Sequence, residues 1–218
     1  MTVKENLQQI NAELDNSLQK SNSRPTVIAV TKYVTINRAK EALDAGIQHF
    51  GENRIEGFKE KKLALPDGIF HFIGSLQTRK VREVINDIDY LHSLDRMSLA
   101  EEIEKRADHP VKCFIQVNIS GEASKHGLSP DEVIPFVQSL SGFQRIQIVG
   151  LMTMAPLIED EQQLRIYFAS LRELKQEVAA LNLSNAPCTE LSMGMSNDFA
   201  IAAAEGATFV RIGTKLVG

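Results

Sequence analysis

Apolar residues occur along the chain in short runs that do not alternate with polar ones, each followed by a longer segment in which they return every three or four positions. TVIAVTK at 26–32 is β-branched and apolar without alternation as far as its closing lysine, the pattern of a strand buried on both faces of a parallel sheet. The periodicity then predicts a helix over about 36–45, stopped by Gly46. The same rhythm repeats. HFGEN leads into a charged helix, FHFIG into a helix over LQTRKVREVIND, YLHSLD into LAEEIEKRAD, and VKCFIQVNIS into a helix starting near Pro130. IQIVGLMTM precedes a long helix through Leu181, CTELSMG precedes a helix from Ser196, and TFVRIG forms the last strand. Ahead of all these, MTVKENLQQINAELDNSLQK at 1–20 carries apolar residues at helical spacing and predicts an additional N-terminal helix.

Eight strand candidates separated by helices predict an α/β fold, a single (β/α)8 TIM barrel over 1–218 with that extra helix in front. An open doubly wound sheet would gather its polar residues at one switch point. Here they recur at the C-terminal ends of many strands, where a barrel collects them around one mouth. No linker rich in Pro, Gly or Ser divides the chain.

Composition narrows the function classes. Hydrophobic residues make up 43% and charged residues 24%, which suits a globular protein with a sizeable core and argues against disorder. Lys plus Arg total 24 against 28 for Asp plus Glu, a net charge of −4, so nucleic acid is not an expected partner. No apolar run approaches the roughly 18 residues of a membrane span, and the N-terminal stretch lacks the continuous apolar core of a signal peptide. A cytoplasmic monomer without membrane contact is expected. Cys113 and Cys188 sit in separate apolar, strand-like runs and read as buried reduced thiols rather than a disulfide or a metal site.

The strand ends carry Lys32, Glu52, Asn53, Gly74, Asp95, Asn118, Met152, Ser192, and Arg211 with Gly213 and Thr214. Lys32 follows an apolar strand, where desolvation would favour the neutral amine, a nucleophile for aldehydes; the alternative is a side chain that snorkels to solvent. Ser196 stands where a helix N-cap belongs, with Asn197 and Asp198 just inside, so that free N–H groups and the helix dipole face the mouth. Gly213 and Thr214 add a backbone N–H and a hydroxyl where barrels often bind phosphate. Each has an ordinary explanation as a cap or a turn; together they describe an amine opposite an anion site.

AVTKYV, FGENRIEGFKEK, HFIGSLQTRK, VNISGEASKHG, GLMTMAP and LSMGMSNDF…AAAEGATFVRIGT, in that order, resemble the motifs of the pyridoxal phosphate homeostasis proteins, a family related in fold to the N-terminal barrel of alanine racemase. The resemblance runs over nearly the whole chain, with Arg79 standing where the family usually has Asn. It implies pyridoxal 5′-phosphate (PLP) as cofactor, held through a Schiff base on Lys32, with Arg211 facing the pyridine nitrogen, Ser196, Gly213 and Thr214 on the phosphate, and Asn53 lining the pocket. Lys125, in GEASKHG, reads first as a solvated loop lysine, and the resemblance offers it as a second lysine able to take up or pass on the aldehyde. PLP-dependent apoenzymes and amino acids are the further partners the resemblance implies.

An arginine on the ring nitrogen argues against strong carbanion chemistry, because a guanidinium only donates and leaves that nitrogen unprotonated. The expectation is therefore a protein that holds and releases PLP, without robust turnover and without catalytic residues of its own. A racemase of weak or narrow activity is the alternative, with His71, His92, Lys125 and Tyr33 as conceivable proton donors. His71 and His92 read first as packed or hydrogen-bonded strand residues, and Met152 and Met193 as packing. A third possibility is aldolase-like chemistry on Lys32 with another phosphorylated metabolite.

Overall fold

The computed structural model describes residues 1–18 and 23–218. Eight strands, β1 (Thr26–Val30), β2 (His49–Glu52), β3 (Ile69–Phe72), β4 (Tyr90–Leu94), β5 (Val111–Gln116), β6 (Ile146–Met152), β7 (Glu190–Ser192) and β8 (Phe209–Ile212), follow one another around a closed barrel. Every pairing is parallel, and β1 meets β8 with Ile28 opposite Arg211. This is the (β/α)8 barrel that the alternation of segments predicts.

Successive residues of a strand point to opposite faces, and the alternation sorts side chains into two cores. Ile28, Phe114, Val149, Met152 and Phe209 form a cluster inside the barrel. Their strand neighbours, among them Ala29, Ile115, Leu151 and Val210, join a larger cluster with the helices. In that outer layer Phe50 stacks on Phe70 at 5.7 Å, and Phe58 meets Phe70 edge-on at 5.6 Å. All three are essentially fully buried, each stabilising the fold by roughly 1.5–3 kcal/mol.

The surrounding helices are α1 (Val3–Ser17), α2 (Ile36–Asp44), α3 (Ile55–Ala64), α4 (Met97–Arg106), α5 (Pro130–Ser139), α6 (Glu161–Ala180), α7 (Phe199–Ala204) and α8 (Thr214–Val217). The extra N-terminal helix α1 opens with a Thr2–Glu5 capping box and buries Val3, Asn6, Ile10 and Leu14. Asn6 donates to the Leu216 carbonyl at 2.9 Å, tying α1 to α8. The helical stretch read from the sequence reaches Lys20, whose last two residues, Gln19 and Lys20, lie outside the described residues. Gly46 ends the turn after α2 at φ 102°, a conformation that favours glycine.

Three elements differ from the sequence expectation. LQTRKVREVIND forms a 3-10 turn at Thr78–Glu83 instead of an α-helix, carried by short i to i+3 bonds such as Lys80 N–H to Gln77 O and Val84 N–H to Val81 O, although Val81, Val84, Ile85 and Ile88 are buried at helical spacing. Arg79 lies in it, exposed, donating to Gln77. The helix expected from Ser196 begins at Phe199, with Asp198 as its N-cap. Cys188 lies in the loop before β7 at φ 44° rather than in a strand.

Candidate functional site

The C-terminal ends of the strands open on a cavity of about 690 Å³, whose lining includes Lys32, Asn53, Met152, Ser196, Arg211, Gly213 and Thr214. The six residues expected to hold a ligand thus come from the ends of β1, β2, β7 and β8 to one space.

On the β1 side the backbone is fixed by a buried ion pair. Lys61 of α3 lies 2.8 Å from Glu52 at the end of β2, and both are almost fully buried, at 4% and 1% exposure. The Lys61 ammonium also donates to the Thr31 carbonyl at 2.7 Å, and the Thr31 hydroxyl donates to Glu52 at 2.6 Å. Glu52 therefore points away from the mouth into this clasp, while its neighbour Asn53 lines the cavity. The Asn53 Oδ1 is buried with no hydrogen-bond partner among the described residues. Gly74 lets the two loops pack here, since a Cβ on it would lie 2.4 Å from the Asn53 carbonyl oxygen.

Lys32 departs from the expectation of a desolvated amine. The chain turns outward after Thr31, with Val34 N–H bonding back to the Thr31 carbonyl at 3.1 Å, and this leaves the Lys32 side chain exposed on the rim. Its ammonium stands 4.9 Å from the ring centroid of Tyr33, which is itself 77% exposed.

Ser196 is not a helix cap. Asp198 accepts the Met195 N–H at 2.5 Å and closes a turn over 195–198 ahead of α7, so the helix start lies beyond Ser196. That turn brings the Ser196 hydroxyl to Gly213, whose N–H donates to it at 3.3 Å. Burial raises the Asp198 pKa, opposed by its backbone bond to Met195 and by the Arg211 charge.

Arg211 lies inside the barrel at 4% exposure. It donates through Nη1 to Ser192 Oγ at 2.5 Å and through Nη2 to the Thr153 carbonyl at 2.7 Å. Burial lowers its pKa to about 10, with Asp198 opposing, so it stays protonated at neutral pH. Beneath it three histidines link strand to strand. His92 Nδ1 is 3.0 Å from Ser192 Oγ, His71 Nδ1 is 2.8 Å from His92 Nε2, and His49 Nδ1 is 2.9 Å from His71 Nε2. The sequence alone reads His71 and His92 as packed or hydrogen-bonded strand residues, one at a time, and gives no reason to single out His49. The period-2 pattern of HF, HF and LHSL put all three on the inner face, but only the strand register joins them.

Other strand-end residues stand outside the cavity lining. Asp95 pairs with Arg96 at 2.6 Å, and Asn118 donates to the Glu122 carbonyl at 2.9 Å. Lys125 pairs with Glu122 at 3.2 Å and donates to the carbonyl of Met154, a rim residue, at 3.3 Å. Met193 is buried in the outer core. Cys113 and Cys188 are buried free thiols, and burial pushes Cys188 up to about 12. Among the described residues no cluster of three or more His, Cys, Asp or Glu forms a metal site, and no helix is long and apolar enough to cross a membrane.

The sequence profile of the alanine racemase N-terminal domain family matches residues 3–218. A pyridoxal phosphate homeostasis protein of Aquifex aeolicus is 40% identical over 197 residues, 88% of this chain and 86% of its own length. PipY of Synechococcus elongatus, solved without PLP and with PLP bound, superposes with TM-scores of 0.86 and 0.85 at 35% and 34% identity, over 99% of this chain and 100% of PipY. An alanine racemase of Clostridium difficile, in complex with cycloserine, shares the fold at a TM-score of 0.77 and 14% identity, over 98% of this chain and 59% of the racemase. The chain belongs to the alanine racemase N-terminal domain family, among the pyridoxal phosphate homeostasis proteins.

Proposed function

We propose that this protein holds PLP reversibly in the barrel mouth and hands it to other proteins. The observation that carries the reading is the convergence, in one cavity of about 690 Å³, of an accessible primary amine, a fixed guanidinium and the Ser196–Gly213–Thr214 corner. Small-ligand sites span roughly 300–1,000 Å³, and the chemistry of the donor set suits a phosphorylated pyridine aldehyde. The Gly213 N–H to Ser196 bond is long at 3.3 Å, so the two groups are only weakly committed to each other and the Ser196 hydroxyl can rotate away to an anion at small cost, and the orphaned Asn53 Oδ1 is a polar atom awaiting a donor.

When bound, PLP supplies an aldehyde that condenses reversibly with a primary amine. Lys32 is that amine in this reading, and its exposure leaves it open to exchange with incoming amino acids or with the lysine of an apoenzyme. Ser196, Thr214 and the Gly213 N–H hold the phosphate, and Asn53 orients the ring's edge. Arg211 faces the ring nitrogen as a permanent donor, which keeps that nitrogen unprotonated and disfavours electron withdrawal into the ring. Holding is thereby favoured over turnover. A cytoplasmic monomer fits such a carrier.

The test is to titrate the ligand-free protein with PLP and then mix the loaded protein with an apo-aminotransferase. Uptake of one PLP per chain, dependent on Lys32, followed by recovery of aminotransferase activity is expected. No uptake, or the same spectrum from Lys32→Ala, contradicts the binding reading; uptake without recovery contradicts delivery. Exchange of amino-acid α-protons in D2O should stay well below the roughly 1–1,000 per second of ordinary enzymes, and fast exchange would put the racemase reading in its place.

A further inference from the structure

The three interior histidines share one face of β2, β3 and β4, and they lead to the arginine that the proposed function assigns to the cofactor ring. His71 and His92 are fully buried. Their planes are fixed by aromatic neighbours: His71 stacks on Tyr90 at 4.4 Å with planes 2° apart, and His92 lies 4.3 Å from Phe114. His49, at the start of β2, is partly exposed at the opposite end of the barrel from the cavity.

The proton positions along this line follow from its upper end. Arginine has donors and no acceptor, so Ser192 Oγ accepts from Arg211 Nη1. Among the described residues the other partner of Ser192 Oγ is His92 Nδ1. The hydroxyl proton goes there, because any other direction leaves a buried O–H without an acceptor. His92 Nδ1 is then the acceptor, its proton sits on Nε2, and it donates to His71 Nδ1. His71 in turn carries its proton on Nε2 and donates to His49 Nδ1. Each tautomer is set by the one above it, and all donors run from the mouth toward the floor.

We propose that His49, His71, His92 and Ser192 form a one-directional hydrogen-bond chain that positions Arg211, so that the placement of the ring-facing guanidinium depends on an imidazole at the far end of the barrel. His49, His71 and His92 are positioning residues: they reach the cavity through Ser192 and Arg211. Reversing the chain, as a proton added at His49 Nδ1 requires, turns His92 Nδ1 into a donor toward an oxygen that already accepts from Arg211, and the Ser192 hydroxyl proton loses its acceptor. Asp89, Lys112, Tyr90 and His71 are the titratable groups about His49; Asp89 favours its protonation, Lys112 opposes it, and burial opposes it most. Burial likewise holds His71 and His92 well below the ordinary imidazole range, with His49 and Lys112 adding to the effect at His71 and His71 and Arg211 adding to it at His92. A neutral chain is therefore the resting state at neutral pH.

The cofactor end of this inference rests on the PLP reading, whereas the chain itself is tested without ligand. In ligand-free protein labelled with ¹⁵N in histidine and arginine, His49, His71 and His92 should appear as single Nε2–H tautomers, and the Arg211 Nη–H signals should be resolved and slow to exchange. His49→Phe removes the last acceptor. It should mix the His71 and His92 tautomers, broaden the Arg211 signals and weaken PLP binding three- to tenfold. His49→Gln, which keeps an acceptor oxygen, should restore all three. Nδ1–H tautomers at His71 or His92, or unchanged His92 and Arg211 signals in His49→Phe, would overturn the chain. Expected tautomers in a wild-type protein that takes up no PLP would uphold the chain and sink the cofactor reading.

Discussion

Lys32 and Arg211 reach the same cavity from neighbouring strands, β1 and β8, under opposite restraint. The Lys32 side chain is exposed on the rim beside an exposed Tyr33, while the backbone before it is locked by the buried Thr31–Glu52–Lys61 clasp. Arg211 has its guanidinium buried and bonded to Ser192 and Thr153. A group that must form and break a covalent bond with many partners needs freedom at its tip and a fixed root. A group that recognises one ring atom needs a fixed tip, and the barrel interior supplies it. The two supports also differ in kind: an ion pair outside the sheet under Lys32, a neutral histidine line inside it under Arg211.

Breaking the ion pair gives the largest expected effect. Lys61→Met leaves Glu52 as an uncompensated buried carboxylate and should cost about 3–5 kcal/mol in urea unfolding, whereas adding Glu52→Gln to it should recover part of the loss. A single and a double variant of equal stability would mean that the charges are not coupled.

The histidine line should announce itself through pH. His71 and His92 have folded pKa values well below their ordinary value of about 6.5, so the unfolded chain binds protons first as pH falls. Their contribution is intact above about pH 6.5 and is lost below it, at up to about 1.4 kcal/mol per pH unit for each histidine. Unfolding measured between pH 7 and 5 should show this slope, to which His49 adds a smaller part, and the slope should fall by roughly a third to a half in His71→Phe; a slope unchanged by that substitution would mean His71 is not buried neutral.

The phosphate corner sharpens the comparison on the ligand side. Ser196→Ala and Thr214→Val should each weaken PLP retention by roughly 1.5–3 kcal/mol, the range for a hydrogen bond to a charged group, measured by equilibrium dialysis. Unchanged affinity in the double variant would put the phosphate elsewhere. Smallest in stability is Lys32→Ala, which should leave unfolding within about 0.5 kcal/mol because an exposed rim side chain contributes little; a larger loss would show that its tip is restrained after all.

The barrel was legible because its signal is periodic: apolar runs at 26–32 and 146–152 and helical spacing between them need no tertiary information. The six cavity residues were legible because strand ends in such a barrel share one mouth. What stayed hidden depends on direction or register. Nothing local to AVTKYV tells that the chain turns outward at Lys32, or that Glu52 looks away from the cavity its neighbour Asn53 faces. The shift of the helix start from Ser196 to Phe199 rests on one side-chain bond from Asp198, which the string SND permits at either serine or aspartate. The line from His49 to Ser192 spans four strands, and only barrel closure assembles it.

The division of labour between the two cations is tested most directly by reducing the PLP-loaded protein with borohydride and mapping its peptides. The account predicts the pyridoxyl mass on the peptide that contains Lys32, and none retained in Lys32→Ala. The same mass found wholly on another lysine, Lys125 included, or retained undiminished in Lys32→Ala, would contradict it.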